Sequence, residues 1–278
     1  MTALLALVAA VFYGSTDFLG GFISKRAPAV SVAVMSQVAG LPVLALLLFV
    51  VPTDSVAFAD VGWGAAGGLF GAIGVVALYA GLAAGQMAVV APLAGLIGAG
   101  LPVVFSLVIG ESPQTITLVG IALALVAIPG LASGAKRGSS GGSLSAISLA
   151  VAAGSAFGLF FIFYSFTAEG SGMWPLLGAR VVSVPTLCLM ARQRQASLRF
   201  RGRTRNMVAV TGVLDMAANA LMLLALQRGP LAIAATLISL YPGFTVVLAR
   251  FVLRERLSPL QRASVAVALA AIVLITAP

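Results

Sequence analysis

The chain has 278 residues, 61% hydrophobic and only 8% charged, with a mean hydropathy of +1.14. A soluble domain carries about 25% charged residues, so the composition excludes a soluble enzyme and leaves no room for a soluble domain beside a membrane part. The net charge of +9 does not point to nucleic acid, because the charges sit in short loops between apolar runs, as positive-inside topology requires.

Ten apolar stretches of helical length follow one another, read as spans at 2–23, 29–51, 60–84, 87–110, 115–133, 144–167, 172–190, 206–227, 231–253 and 258–276. Each is near the ~20 residues that a crossing helix needs. No Lys or Arg precedes the first, and Asp17 interrupts it; it is expected to be a retained helix and not a signal peptide. Ala27-Pro28 and Val51-Pro52-Thr53-Asp54 punctuate the second span. The third carries the small-residue pairs Gly64/Gly68, Gly67/Gly71 and Gly81/Gly85, which predict close helix contact. Pro92 and Pro102 interrupt the fourth, with Gly95, Gly98 and Gly100 between them. Ser112-Pro113 and Ser258-Pro259 are helix-start signals for the fifth and tenth. Glu111 and Glu255 sit just before them, where a negative charge suits the positive helix end. Residues 134–143 are a Gly/Ser-rich linker. Phe157, Phe160, Phe161 and Tyr164 share one face of the sixth span and are expected mainly to pack, although such a face also suits an apolar cavity; Phe163 and Phe166 turn away. Cys188 lies in the seventh span, where packing is expected. Ala191–Asn206 carries six arginines and no acid, the composition of a loop lying against anionic headgroups. Arg228-Gly229-Pro230 is a turn, and Pro242-Gly243 breaks the ninth span.

The second five spans align with the first five, ungapped, at an offset of 144 residues: Gly14 with Gly158, Gly68 with Gly212, Gly85 with Gly229, Leu93 with Leu237, Val103 with Val247 and Glu111 with Glu255. Five is odd, so the second copy must enter the membrane upside down. The fold class expected is therefore an all-α polytopic membrane protein of two inverted five-helix repeats, 1–133 and 144–278, joined by the linker. Inverted repeats are how many secondary transporters build two gates around one site. The face that holds the loops after the odd-numbered spans carries fourteen basic residues, the opposite face only Arg228. The basic side is thus expected to be cytoplasmic, with both termini outside.

Local motifs carry a resemblance to a known family. Phe12-Tyr13-Gly14-Ser15 and Ala156-Phe157-Gly158 open the two repeats; Leu101-Pro102-Val103 and Tyr241-Pro242-Gly243 mark their fourth helices. Gly110-Glu111-Ser112-Pro113 and Glu255-Arg256-Leu257-Ser258-Pro259 end them. Repeated at one offset, these stretches resemble the EamA-type branch of the drug/metabolite transporter superfamily over the whole length. The resemblance implies a ten-helix carrier of amino acids, drugs or other small metabolites. Two departures stand: Tyr13-Gly14 replaces the family's Trp-Gly, and the loop after the second span is acidic where relatives are basic. The resemblance also implies cytoplasmic termini, against the loop charges, and the two orientations stay open.

Ionisable groups within a bilayer are costly and face the bundle interior or a cavity. Asp17, Arg180 and Asp215 are such groups, with Gln37 and Asn219 as polar companions and Tyr13 and Tyr241 as phenols needing partners. Asp17 is the first candidate for a coupling or substrate-amine site; its repeat mate is Phe161. The alternative for Asp17 is a pairing with Lys25 or water. Arg180 has three possible partners: Asp17, Asp215 or a substrate carboxylate. Pro102, Pro242 and Gly243 are candidate hinges. There is no histidine, no Walker loop and no cluster of intramembrane carboxylates; neither enzymatic catalysis, ATP, metal nor cofactor is expected.

Together these features read as a secondary transporter, in the exporting direction, of small organic metabolites, integral to a bacterial inner (cell) membrane. Its expected partners are a small-molecule substrate and the lipid bilayer, with no nucleic acid. Ten helices suffice for one pathway, so a monomer is expected to function, a dimer being the alternative. A lipid scramblase or non-transporting scaffold is the competing reading.

Overall fold

The computed structural model describes residues 2–108, 115–132, 142–228, 238, 240–255 and 257–276, and among these every regular element is helical. The helices are α1 Thr2–Ser24, α2 Ala29–Val50, α3 Phe58–Ala84, α4 Met87–Val108, α5 Thr115–Ala132, α6 Gly142–Tyr164, α7 Trp174–Gln193, α8 Gly202–Arg228, α9 Tyr241–Val252 and α10 Pro259–Thr276, with a 3-10 turn at Glu169–Ser171. Glu111, Ser112-Pro113, Gly229-Pro230, the linker as far as 141 and the opening of the ninth span at 231–237 lie outside the described residues. Among the described residues six helices are by length and composition apolar enough to cross a membrane: α1, α2, α3, α6, α7 and α8. Large apolar side chains such as Phe49, Phe58, Val108 and Phe251 are exposed, the outer surface that hydrocarbon tails cover without penalty.

The two halves interlock. Helix α1 packs against α8 and α9, α3 against α6 and α7, α2 against α7 and α8, α4 against α6, α9 and α10, and α5 against α10. Thus α3 lies on α6 as α8 lies on α1, and α3 on α7 as α8 on α2. Glycines permit these approaches. A methyl group at Gly14 would meet Phe244 Cβ at 2.5 Å and lie 3.1 Å from Thr245 N; at Gly158 it would meet Leu101 Cβ at 2.6 Å. Leu101 and Thr245 are 144 apart, so one contact is made twice. The small-residue face of α3 splits as its spacing predicts: Gly64 and Gly68 abut the backbone of Pro175 and Ala179 in α7, while Gly67 and Gly71 receive Tyr164 and Phe160 of α6.

Two sequence expectations are corrected and a third is extended. Cys188 does not pack inside; it is exposed on the outer face of α7. The six-arginine segment is not one long loop. Helix α7 runs on to Gln193 and α8 begins at Gly202, leaving a short extended stretch whose Leu198 and Phe200 dock on the cluster around Val30, Leu187 and Val208. Anchored apolar side chains shorten the loop, and the arginines point outward. Glu255 does more than precede the helix that follows it. Its carboxylate accepts from Met87 N at 3.1 Å and Ala88 N at 3.0 Å, satisfying orphan donors at the start of α4 in the other half.

Candidate functional site: a cavity at the seam of the two halves

All seven residues singled out as polar or phenolic within spans line one cavity: Tyr13, Asp17, Gln37, Arg180, Asp215, Asn219 and Tyr241. Helices α1, α2, α3, α6, α7 and α8, with Ile238 and the start of α9, supply its walls. Helical spacing brings the polar groups to one side. Asp215 and Asn219, four apart on α8, share a face, and Asn219 Nδ2 donates to the Asp215 carbonyl at 2.8 Å.

The charges are arranged unequally. Arg180 Nη2 pairs with Asp215 Oδ2 at 2.6 Å, their side chains 10% and 23% exposed. This is the one ion pair among the described residues. Asp17 is 8% exposed, and its Oδ2 has no hydrogen-bond partner. Lys25, its other sequence-level partner, is exposed at the end of α1. Ser183 Oγ donates to Gln37 Oε1 at 2.5 Å, tying α7 to α2. Tyr13 OH donates to Met222 Sδ at 3.4 Å.

Aromatic rings form the rest of the wall. Phe157, Phe160, Phe161 and Tyr164 all line the cavity, so the α6 face expected mainly to pack is a cavity face. Phe160 stands 4.5 Å from Tyr164 and 5.4 Å from Phe161, centroid to centroid, and Tyr13 stands 6.1 Å from Tyr241. Phe163 and Phe166 do turn away, against Trp63, Phe70 and Phe105. Sequence reasoning missed Ser36, Tyr79 and Ser183. Each is a polar residue within an apolar helix, the same signal that found Gln37, but hydroxyls so often bond back to their own helix that they carry less weight.

The candidate hinges differ. Pro102 lies within the continuous helix α4. Pro242 does not interrupt a helix in the described residues; it sits in the first turn of α9, where proline's fixed φ and missing N–H cost nothing. Its ring lies where a side chain on Gly95 would be, 2.5 Å from the Cβ position, so α4 and α9 meet at that point. Gly243 follows, and a methyl group there would meet Leu269 at an ordinary contact distance of 3.7 Å.

Equivalent positions of the two halves face the same space. Tyr13 and Phe157, Asp17 and Phe161, Ser36 and Arg180, Gly71 and Asp215, and Val75 and Asn219 are each 144 apart, and all ten line the cavity.

Comparison with known proteins agrees with this architecture. Residues 144–277 match the EamA-like transporter family. No curated protein sequence matches significantly. A protein crystal structure superposes with a TM-score of 0.65 at 13% identity, covering 99% of this chain and 98% of its own; at that identity the likeness shows the fold alone.

Proposed function

Because residues 144–277 match the EamA-like transporter family, we propose that the chain is a secondary transporter of small organic molecules, working by alternating access as an exporter. The substrate site is the cavity bounded by Tyr13, Asp17, Gln37, Arg180, Asp215, Asn219 and Tyr241. The carrying observation is that five pairs of repeat-equivalent positions meet around one space. An inverted repeat with its site at the repeat interface can open to either side by rocking one half on the other. In this reading all ten helices cross the membrane, the arginine-rich face is cytoplasmic, and Pro102, Pro242 and Gly243 accommodate the rocking where α4 and α9 touch. Energy comes from an ion or substrate gradient.

The test is mass spectrometry of medium and cytosol from cells expressing the intact protein, Asp17→Asn, or neither. A compound enriched outside only with the intact protein supports export through Asp17. Enrichment with both versions retains the carrier and removes Asp17 from its path. Equal profiles in all three overturn the exporter reading, leaving import, scrambling or a scaffold role. A C-terminal reporter reading as cytoplasmic would overturn the orientation.

A further inference from the structure

We infer that the cavity selects organic monocations, amines or quaternary ammonium ions carrying an apolar or aromatic body, with Asp17 as the counter-ion. This rests on the cavity being the carrier's substrate site. The lining holds three ionisable charges, Asp17, Asp215 and Arg180. Arg180 and Asp215 neutralise each other at 2.6 Å, so the cavity's net charge is that of Asp17 alone. An unpaired carboxylate away from water is costly, and one positive charge placed beside it removes that cost.

A zwitterion fits this distribution poorly. Its carboxylate would have to approach Arg180, bringing a second anion against Asp215 and a third into a space already holding Asp17. An anion fits worse still. A metal cation is disfavoured because hard cations collect six or more oxygen ligands, whereas Asp17 shares its wall with rings, and no group of three His, Cys, Asp or Glu occurs among the described residues. The rings suit an organic cation. Tyr13, Tyr241, Phe157, Phe160, Phe161 and Tyr164 line the space, and aromatic rings attract ammonium groups through their π systems and accept an apolar body. Three of the remaining polar side chains are already engaged: Ser183 with Gln37, and Asn219 with the Asp215 carbonyl.

The experiment is isothermal titration of the full-length purified protein with benzyltrimethylammonium, phenethylamine, benzyl alcohol and phenylalanine. Both cations are expected to bind, the neutral alcohol and the zwitterion at least tenfold more weakly. Asp17→Asn is expected to weaken cation binding at least tenfold, and Asp17→Glu to keep most of it. Equal or tighter binding of phenylalanine or benzyl alcohol, unchanged binding by Asp17→Asn, or failure of both cations to bind at millimolar concentration overturns the inference. If neither Asp17 variant folds, the comparison of the four ligands on the intact protein decides alone. Flux into proteoliposomes separates the two levels. A cation bound through Asp17 but never moved refutes the carrier and keeps the site. Transport of neutral or zwitterionic compounds without cation binding keeps the carrier and refutes the site.

Discussion

The first and second halves bring the same positions to the cavity and furnish them oppositely. Asp17 corresponds to Phe161, Ser36 to Arg180, Gly71 to Asp215, Val75 to Asn219, and Tyr13 to Phe157. In each pair one member brings a polar or ionisable group and the other an apolar or small one. The backbone arrangement is therefore tolerant of what these positions carry, provided the volumes suit. Contacts that set helix spacing behave differently: Gly14 and Gly158, or Gly68 and Gly212, are kept in both halves. Architecture is duplicated, chemistry is not.

The strongest way to break this comparison is at the spacing positions. Gly68→Val and Gly212→Val would each drive a side chain into facing backbone, at Ala179 and Ser36, the unyielding case for which the cost lies at or beyond the upper end of the about 1–3 kcal/mol typical of overpacking. Both are expected to abolish monodisperse protein in size-exclusion chromatography. Tolerance of one but not the other would mean that the halves do not depend alike on these contacts. Next comes the charge pair. Arg180→Met leaves Asp215 without its partner and should cost about 3 kcal/mol, seen as a lowered unfolding temperature in detergent. Adding Asp215→Leu should restore most of that loss; no recovery would show that the pair does more than neutralise. A smaller effect is expected from exchanging chemistry between halves. Asp17→Phe with Phe161→Asp keeps one carboxylate and one ring at equivalent places, and should bind benzyltrimethylammonium more tightly than Asp17→Phe alone, by roughly tenfold or ~1.4 kcal/mol. Equal binding by the two would show that the positions are not interchangeable. Smallest is Glu255→Gln, which retains an acceptor but loses the charge at the start of α4. A loss of about 1 kcal/mol is expected, read as a modest fall in unfolding temperature; an unchanged midpoint would assign the cap no charge-dependent weight.

Most of the helical order was legible because apolar runs and turn residues are strong signals: Val51-Pro52 does end α2, Ser258-Pro259 does start α10, and the α3 glycines do mark two contact faces. The polar cavity residues were legible for one reason, the cost of placing them in lipid. What could not be read was choice among partners. Asp17 and Asp215 were equal candidates for Arg180 until helix rotation and depth placed Asp215 beside it. The same holds for the α6 rings. Spacing defines a face, but whether that face meets a helix or a space depends on α1, α3 and α7. Glu255 was read as a local cap because sequence neighbours are the default partners; its actual partners are 168 and 167 residues away.

That long-range cap bears on synthesis. The donors at Met87 and Ala88 are made 168 and 167 residues before the carboxylate that satisfies them. Helix α4 must therefore enter the bilayer with a provisional end, and the nascent first half waits in the membrane unfinished. Completion of the chain, not of each repeat, is the point at which the protein closes on itself. Products that stop before residue 255 lack this carboxylate, and in them the start of α4 is left without these two bonds.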